Sequence, residues 1–167
     1  MIITEFCEED RRSFYELEKC FYAVQATLRG YDESMTERTF RRVLDRLGNL
    51  WGFMLRTERD AEPFGYALVT SYWSNEEGGE MVVLDEIYLS PESQHHGYAT
   101  EFMKWLEVRF SGAAAITLEV LATNKHAQHF YDKLGYNPDG FVTYIKSLRP
   151  PVYPAEFTAG FDKLHVM

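Results

Sequence analysis

The residues Gln94-His95-His96-Gly97-Tyr98-Ala99 stand where an apolar, strand-like run has ended and a helical pattern begins. The first amides of a helix have no partner inside it. They point outward and carry about half a positive charge. A phosphate or pyrophosphate fits against them. Gly97 removes the Cβ that would obstruct such a group, and Ala99 keeps the next position but one small. The chemistry suggested is anion binding by backbone. The phosphate loop G-x-x-x-x-G-K-[ST] and the dinucleotide fingerprint G-x-G-x-x-G are both absent. His95 and His96 read as solvated loop residues whose amides, not rings, do the binding. Two adjacent histidines without further ligands make no metal site.

The elements that must position this loop follow from periodicity. Residues 1–7 read as a first strand. Phe14, Leu17, Phe21, Val24 and Leu28 recur at spacings of three and four, which predicts a helix from Ser13 that Gly30 ends. Ser34 and Glu37 have the spacing of a capping box. The helix behind them carries Phe40, Val43, Leu44 and Leu47 and stops at Gly48. Trp51–Thr57, Gly65–Trp73 and Met81–Leu89 read as strands of two antiparallel hairpins, the last of them as the most buried. Ala99, Phe102, Met103, Leu106 and Phe110 give an apolar face to the helix after the loop. Ala115–Leu121 reads as a buried strand. Asn124 is placed to cap a helix whose stripe is Ala127, Phe130, Tyr131 and Leu134, and Gly135 closes it. Phe141–Leu148 reads as a last strand, and the proline-rich run from Arg149 as neither helix nor central strand. The order β-α-α-β-β-β-α-β-α-β predicts an α/β domain with a mixed sheet.

A chain of 167 residues can bury one core. The net charge of −9 disfavours nucleic acid and anionic lipid as partners and would attract a cationic substrate. Cys7 and Cys20 are too few for a disulfide scaffold and read as reduced, partly buried thiols of a cytoplasmic protein, with no convincing base beside either in sequence. The N-terminal residues do not form a signal peptide. No segment reaches the roughly 20 apolar residues of a membrane helix.

Gln94-x-x-Gly97-x-Ala99 resembles the [QR]-x-x-G-x-[GA] signature of the GNAT family of N-acetyltransferases, which binds the pyrophosphate of acetyl-CoA. A second set of residues agrees in order and context. About 25 residues further on the family has a strand and then a helix bearing an Asn, an aromatic pair and a terminal L-G-[YF]. Here these are Leu118-Glu119-Val120, Asn124, Phe130-Tyr131 and Leu134-Gly135-Tyr136. The resemblance covers residues 1 to 148 and leaves 149–167 as a tail that would pack on the domain or on a partner subunit. It implies a central sheet of six to seven strands flanked by about four helices, acetyl-CoA as acyl donor, no metal, and a homodimer as one assembly.

The resemblance also implies direct attack of a primary amine on the thioester. The acceptor would be a small amine, an amino acid, a polyamine or aminoglycoside, or a protein amine. An amine with a pKa near 10.4 is neutral in only ~1 in 2,500 molecules at pH 7, so a base must take its proton. Glu86 is the candidate, with Asp85 in its place if a bulge changes the strand's facing. As a strand carboxylate paired with a cation, Glu86 would instead be structural. A backbone N–H near Tyr88 or Leu89 would face the oxyanion, and Ile87, Tyr88 and Leu89 would hold the pantetheine arm strand-fashion. Gln94, His95, His96, Gly97, Tyr98, Ala99 and Thr100 would cradle the pyrophosphate. Asn124 would bond the pantetheine amide, or only cap its helix. Tyr131 would protonate the leaving thiolate, or only extend the apolar stripe. A non-catalytic acyl-CoA sensor or scaffold would keep the loop without needing Glu86 or Tyr131.

Overall fold

A computed structural model describes residues 1–24, 30–146 and 148. The chain divides into two compact units: residues 1–18 with 33–119, and residues 19–32 with 120–167. The first unit holds the sheet: β1 (Ile2–Glu5), β2 (Leu50–Arg56), β3 (Gly65–Ser74), β4 (Gly79–Leu89) and β5 (Ala115–Leu118), in that spatial order. The first three pairings are antiparallel and β4–β5 is parallel, giving a mixed sheet. Its helices are α2 (Glu33–Leu44), α3 (Tyr98–Arg109) and the first turns of α1 (Arg11–Ala23).

Side chains alternate along each strand, so the sheet has two apolar faces. Tyr66 belongs to the face under α1 and α2: its ring meets Phe14 at 5.1 Å, and Phe14 stacks on Phe40 at 5.8 Å. Phe53 belongs to the face under α3 and meets Trp105 at 4.9 Å. Phe6 lies across β2, where a Cβ on Gly52 would come within 2.5 Å of its ring. With both faces covered, β3 is buried throughout Gly65–Val69. In β4 only Val82, Leu84 and Tyr88 are buried, so it is not the most buried strand.

One irregularity governs what β4 presents. Leu68 pairs with Glu86, but Val69 pairs with Leu84, so Asp85 is the extra residue of a β-bulge. Val82 and Leu84 therefore share the α3 face with Val69. Beyond the bulge, Glu86 and Tyr88 lie on the α1 and α2 face with Leu68 and Tyr66.

Several expectations are corrected. The buried positions of α1 are Phe14, Glu18 and Phe21, whereas Val24 is 62% exposed and Leu28 lies outside the described residues. Ser34 does not begin α2, which starts at Glu33; Glu37 receives Arg11, Tyr15 and Arg41 instead of closing a capping box. Leu47 lies past the end of α2 and is exposed. Both cysteines are exposed. The strand after α3 ends at Leu118, short of Leu121.

In the second unit, Asn124 caps α4 (Lys125–Lys133), its side-chain oxygen accepting from Ala127 N at 3.0 Å. Gly135 follows with φ +89°, and Tyr136 N donates to Tyr131 O at 3.1 Å. Residues 141–146 are irregular, and Phe141, Val142, Tyr144 and Ile145 are each at least 74% exposed. Among the described residues the expected strand Phe141–Leu148 is therefore not formed, and the sheet has five strands rather than six or seven. Alternating apolar residues supply faces, but a strand also needs a neighbour for its backbone groups. Among the described residues this segment has none. The tail 149–167 lies outside the described residues.

Candidate active site

The β4–β5 ladder ends at Leu84↔Leu118, directly at the bulge. From Asp85 to Leu89, β4 pairs only with β3, at Glu86, Ile87, Tyr88 and Leu89. Among the described residues its other edge carries no strand. An extended amide-bearing chain can add to such an edge as a strand would.

That edge runs into the loop. Ser90 N donates to Phe64 O at 2.7 Å, and a single 3-10 turn, Pro91–Ser93, follows. Gln94 Nε2 donates to Leu89 O at 3.2 Å, tying the loop to the strand end. His96 Nδ1 lies 2.7 Å from Gln94 O, and its ring stacks on Tyr98, which stacks on Phe64 at 4.6 Å. His95 and Gly97 have positive φ, +62° and +83°. Two left-handed residues in so short a span turn successive amides towards one side, the arrangement that makes an anion-binding concavity. No side chain caps α3, and its first intrahelical acceptor is Gly97 O, bonded by Glu101 N at 3.0 Å. The amides of Tyr98, Ala99 and Thr100 thus precede the helical ladder.

A Cβ on Gly97 would meet nothing within 4 Å. The glycine is needed for its φ, a more specific reason than the clearance expected from sequence. Gly97→Val is expected to weaken acetyl-CoA binding roughly tenfold or more, because a β-branched residue resists that φ. Titration calorimetry measures this, and affinity equal to wild type would remove the loop from the site.

Glu86 lies on the α1 and α2 face, where Tyr66 Oη donates to its Oε2 at 2.7 Å. Tyr66 was missed in the sequence because alternation marks a residue as buried without showing what its hydroxyl touches. Asp85 projects at the bulge, and partial desolvation together with nearby Glu119 raises its carboxyl above the usual range. Within the second unit, burial and the neighbouring Tyr136 push the Tyr131 phenol up to about 12. It stays protonated across the physiological range and can act only as a donor of that proton or as a neutral hydrogen-bonding group. Among the described residues no group of three or more His, Cys, Asp or Glu side chains is placed for a metal. A separate cavity of about 320 Å³, lined by Glu5, Trp51, Arg46, Arg109 and neighbours, includes none of the residues above.

An interrupted strand ladder beside a helix start without a side-chain cap is a surface on which an extended, pyrophosphate-bearing ligand can lie. The sequence matches the Acetyltransferase (GNAT) family over residues 9–136. The chain belongs to that family and is an acetyltransferase. Solved structures agree on the fold. A possible acetyltransferase from Clostridium difficile 630 superposes with a TM-score of 0.73 at 14% identity, covering 89% of this chain and 98% of that one. AAC(6')-Iy, solved with the bisubstrate analog CoA-S-monomethyl-acetylneamine, gives 0.71 at 15% identity, covering 87% and 97%. A ribosomal-protein-alanine N-acetyltransferase from Brucella melitensis biovar Abortus 2308 gives 0.66 at 17% identity, covering 89% and 100%. Among curated proteins there is no sequence match.

Proposed function

We propose that this protein transfers the acetyl group of acetyl-CoA to a primary amine by direct attack. The observation that carries the reading is the end of the β4–β5 ladder at Leu84↔Leu118, after which β4 leads into the start of α3 at Gly97, where no side chain caps the helix. Acetyl-CoA supplies the activated acyl group. The amides of the Gln94–Thr100 segment hold its pyrophosphate. The backbone of Ile87, Tyr88 and Leu89 aligns the pantetheine arm, and an amide near Tyr88 or Leu89 faces the developing oxyanion.

Glu86 takes the amine proton, held in orientation by the Tyr66 hydroxyl. Asn124 caps α4 and bonds the pantetheine amide. Tyr131, in the position of the family's aromatic pair, returns a proton to the departing thiolate. Base catalysis carries more of the barrier than acid catalysis. A thiol with a pKa near 8.5 leaves with little help, whereas an amine near 10.4 is almost wholly protonated at neutral pH.

Release of CoA thiol, measured against a panel of amines, tests the reading. Tyr131→Phe is expected to lower kcat about tenfold while acetyl-CoA still raises the melting temperature, since only the hydroxyl is removed. Failure of acetyl-CoA to shift the melting temperature of the wild type would sink the cofactor assignment itself.

A further inference from the structure

The buried stripe of α1 contains a carboxylate. Glu18 is 4% exposed, and its Oε2 has no hydrogen-bond partner. Thr36, buried in α2, interacts with the same carboxyl through its hydroxyl. A buried charge without full compensation is costly and is seldom kept without a partner. Burial pushes the carboxyl up to about 7, with the Thr36 hydrogen bond acting in the opposite direction.

Its place on the helix is informative. Positions 10, 14 and 18 succeed one another by a turn. Asp10, just before α1, pairs with Arg56 at the end of β2. Phe14 meets Tyr66 on β3. The Tyr66 hydroxyl in turn donates to Glu86, which occupies the same face of the sheet. Glu18 follows Phe14 by one helical turn, so the buried carboxylate and the candidate base are joined through Phe14 and Tyr66.

We propose that the unpartnered oxygen of Glu18 is the subsite for a second cationic nitrogen of the acceptor, so that the substrate class is a diamine or polyamine rather than a monoamine. This rests on the transferase reading above, with Glu86 as base. One ammonium of the acceptor pairs with Glu18 and stays protonated. The other nitrogen gives its proton to Glu86 and attacks. The net charge of −9 draws such a polycation towards the chain. Glu18 is a positioning and specificity residue; no bond to it forms or breaks.

The test compares putrescine with n-butylamine, which differ by one amino group, in CoA thiol release by wild type, Glu18→Gln and Glu18→Asp. Wild type is expected to prefer putrescine. Glu18→Gln is expected to raise KM for putrescine roughly tenfold to a hundredfold, the worth of a charge-assisted contact, with kcat nearly unchanged and n-butylamine unaffected. Glu18→Asp, which keeps the charge on a shorter arm, should fall between. An equal effect on both amines, or no preference in wild type, overturns the proposal. Should Glu18→Gln lose its cooperative melt, Glu18→Asp decides on the same ratio. Absence of turnover with any amine, while acetyl-CoA still binds, overturns the transferase reading separately. Thermal shift by putrescine on wild type and Glu18→Gln, in the presence of CoA, then decides on Glu18: a shift lost in the variant supports the subsite, and an unchanged or absent shift overturns it.

Discussion

Glu86→Gln is expected to lower kcat/KM for a primary amine at pH 7 by roughly 10²–10⁴-fold, the usual worth of a positioned general base. Glutamine keeps the shape and can still accept from the Tyr66 hydroxyl, but it cannot take a proton. The fall should shrink as pH rises. Between pH 7 and pH 9 the neutral fraction of an amine with pKa near 10.4 grows roughly a hundredfold, and the variant should recover in proportion. Wild type, supplied with a base already, should gain less. CoA thiol release across that range measures both slopes. Acetyl-CoA affinity should be unaffected, since Glu86 is assigned to the acceptor side. If the variant stays within a few-fold of wild type and Asp85→Asn does not, the bulge residue is the base.

The second large effect concerns stability. The carboxyl of Glu18 rises from 4.5 to about 7 in the folded chain because burial penalises its charged form. A folded-state pKa above the unfolded value favours folding while the group is protonated. The contribution is therefore fully present below pH 4.5 and is lost as pH rises through about 7. Its size is roughly 3 kcal/mol by linkage. Glu18→Gln should remove this dependence. The variant should match wild type near pH 4 and exceed it by roughly 3 kcal/mol at pH 8, as urea denaturation at several pH values would measure. Identical pH profiles for the two proteins would refute the assignment of an uncompensated charge at this position. The same loss bears on ligand binding: a cation placed on Glu18 at pH 8 relieves the penalty that the glutamine variant never has.

Much of the fold is legible from periodicity. The hairpins, the four helices and the loop at Gln94–Gly97 emerge from spacings of two, three and four, and Asn124 caps the helix that its position promises. What escapes detection does so for physical reasons. Alternation along Val82, Leu84, Glu86 and Tyr88 assigns all four to one face, whereas Asp85 divides them between two. An extra residue in a ladder has no signature in composition. Glu18 escapes because an apolar stripe is read by its apolar members, and a carboxylate within it is taken for the opposite face. Ser34 and Glu37 have capping-box spacing, yet Glu37 reaches Arg11 and Arg41, as any surface carboxylate near guanidinium groups can. The segment after Gly140 has a strand's pattern, but a pattern does not provide the neighbouring ladder. The loop, Glu86 and Asp85 are visible in sequence as candidates. Tyr66, which orients Glu86, and Glu18 are visible only once the helix and the sheet are placed together.

The bulge at Asp85 also bears on how such an opening can arise. Removing that one residue would leave Leu84 and Glu86 on the faces they now occupy, because a bulge adds length without reversing the strand beyond it. The strand would straighten, and the ladder to β5 would have no reason to stop at Leu84. The interruption beside Ile87 and Tyr88 would be lost with Glu86 and Tyr66 still in place, though Asp85 itself would be gone. Chain length, rather than residue identity, sets its width. It is therefore a feature that an insertion or a deletion can create or erase in a single event, and that point substitution is poorly suited to reach.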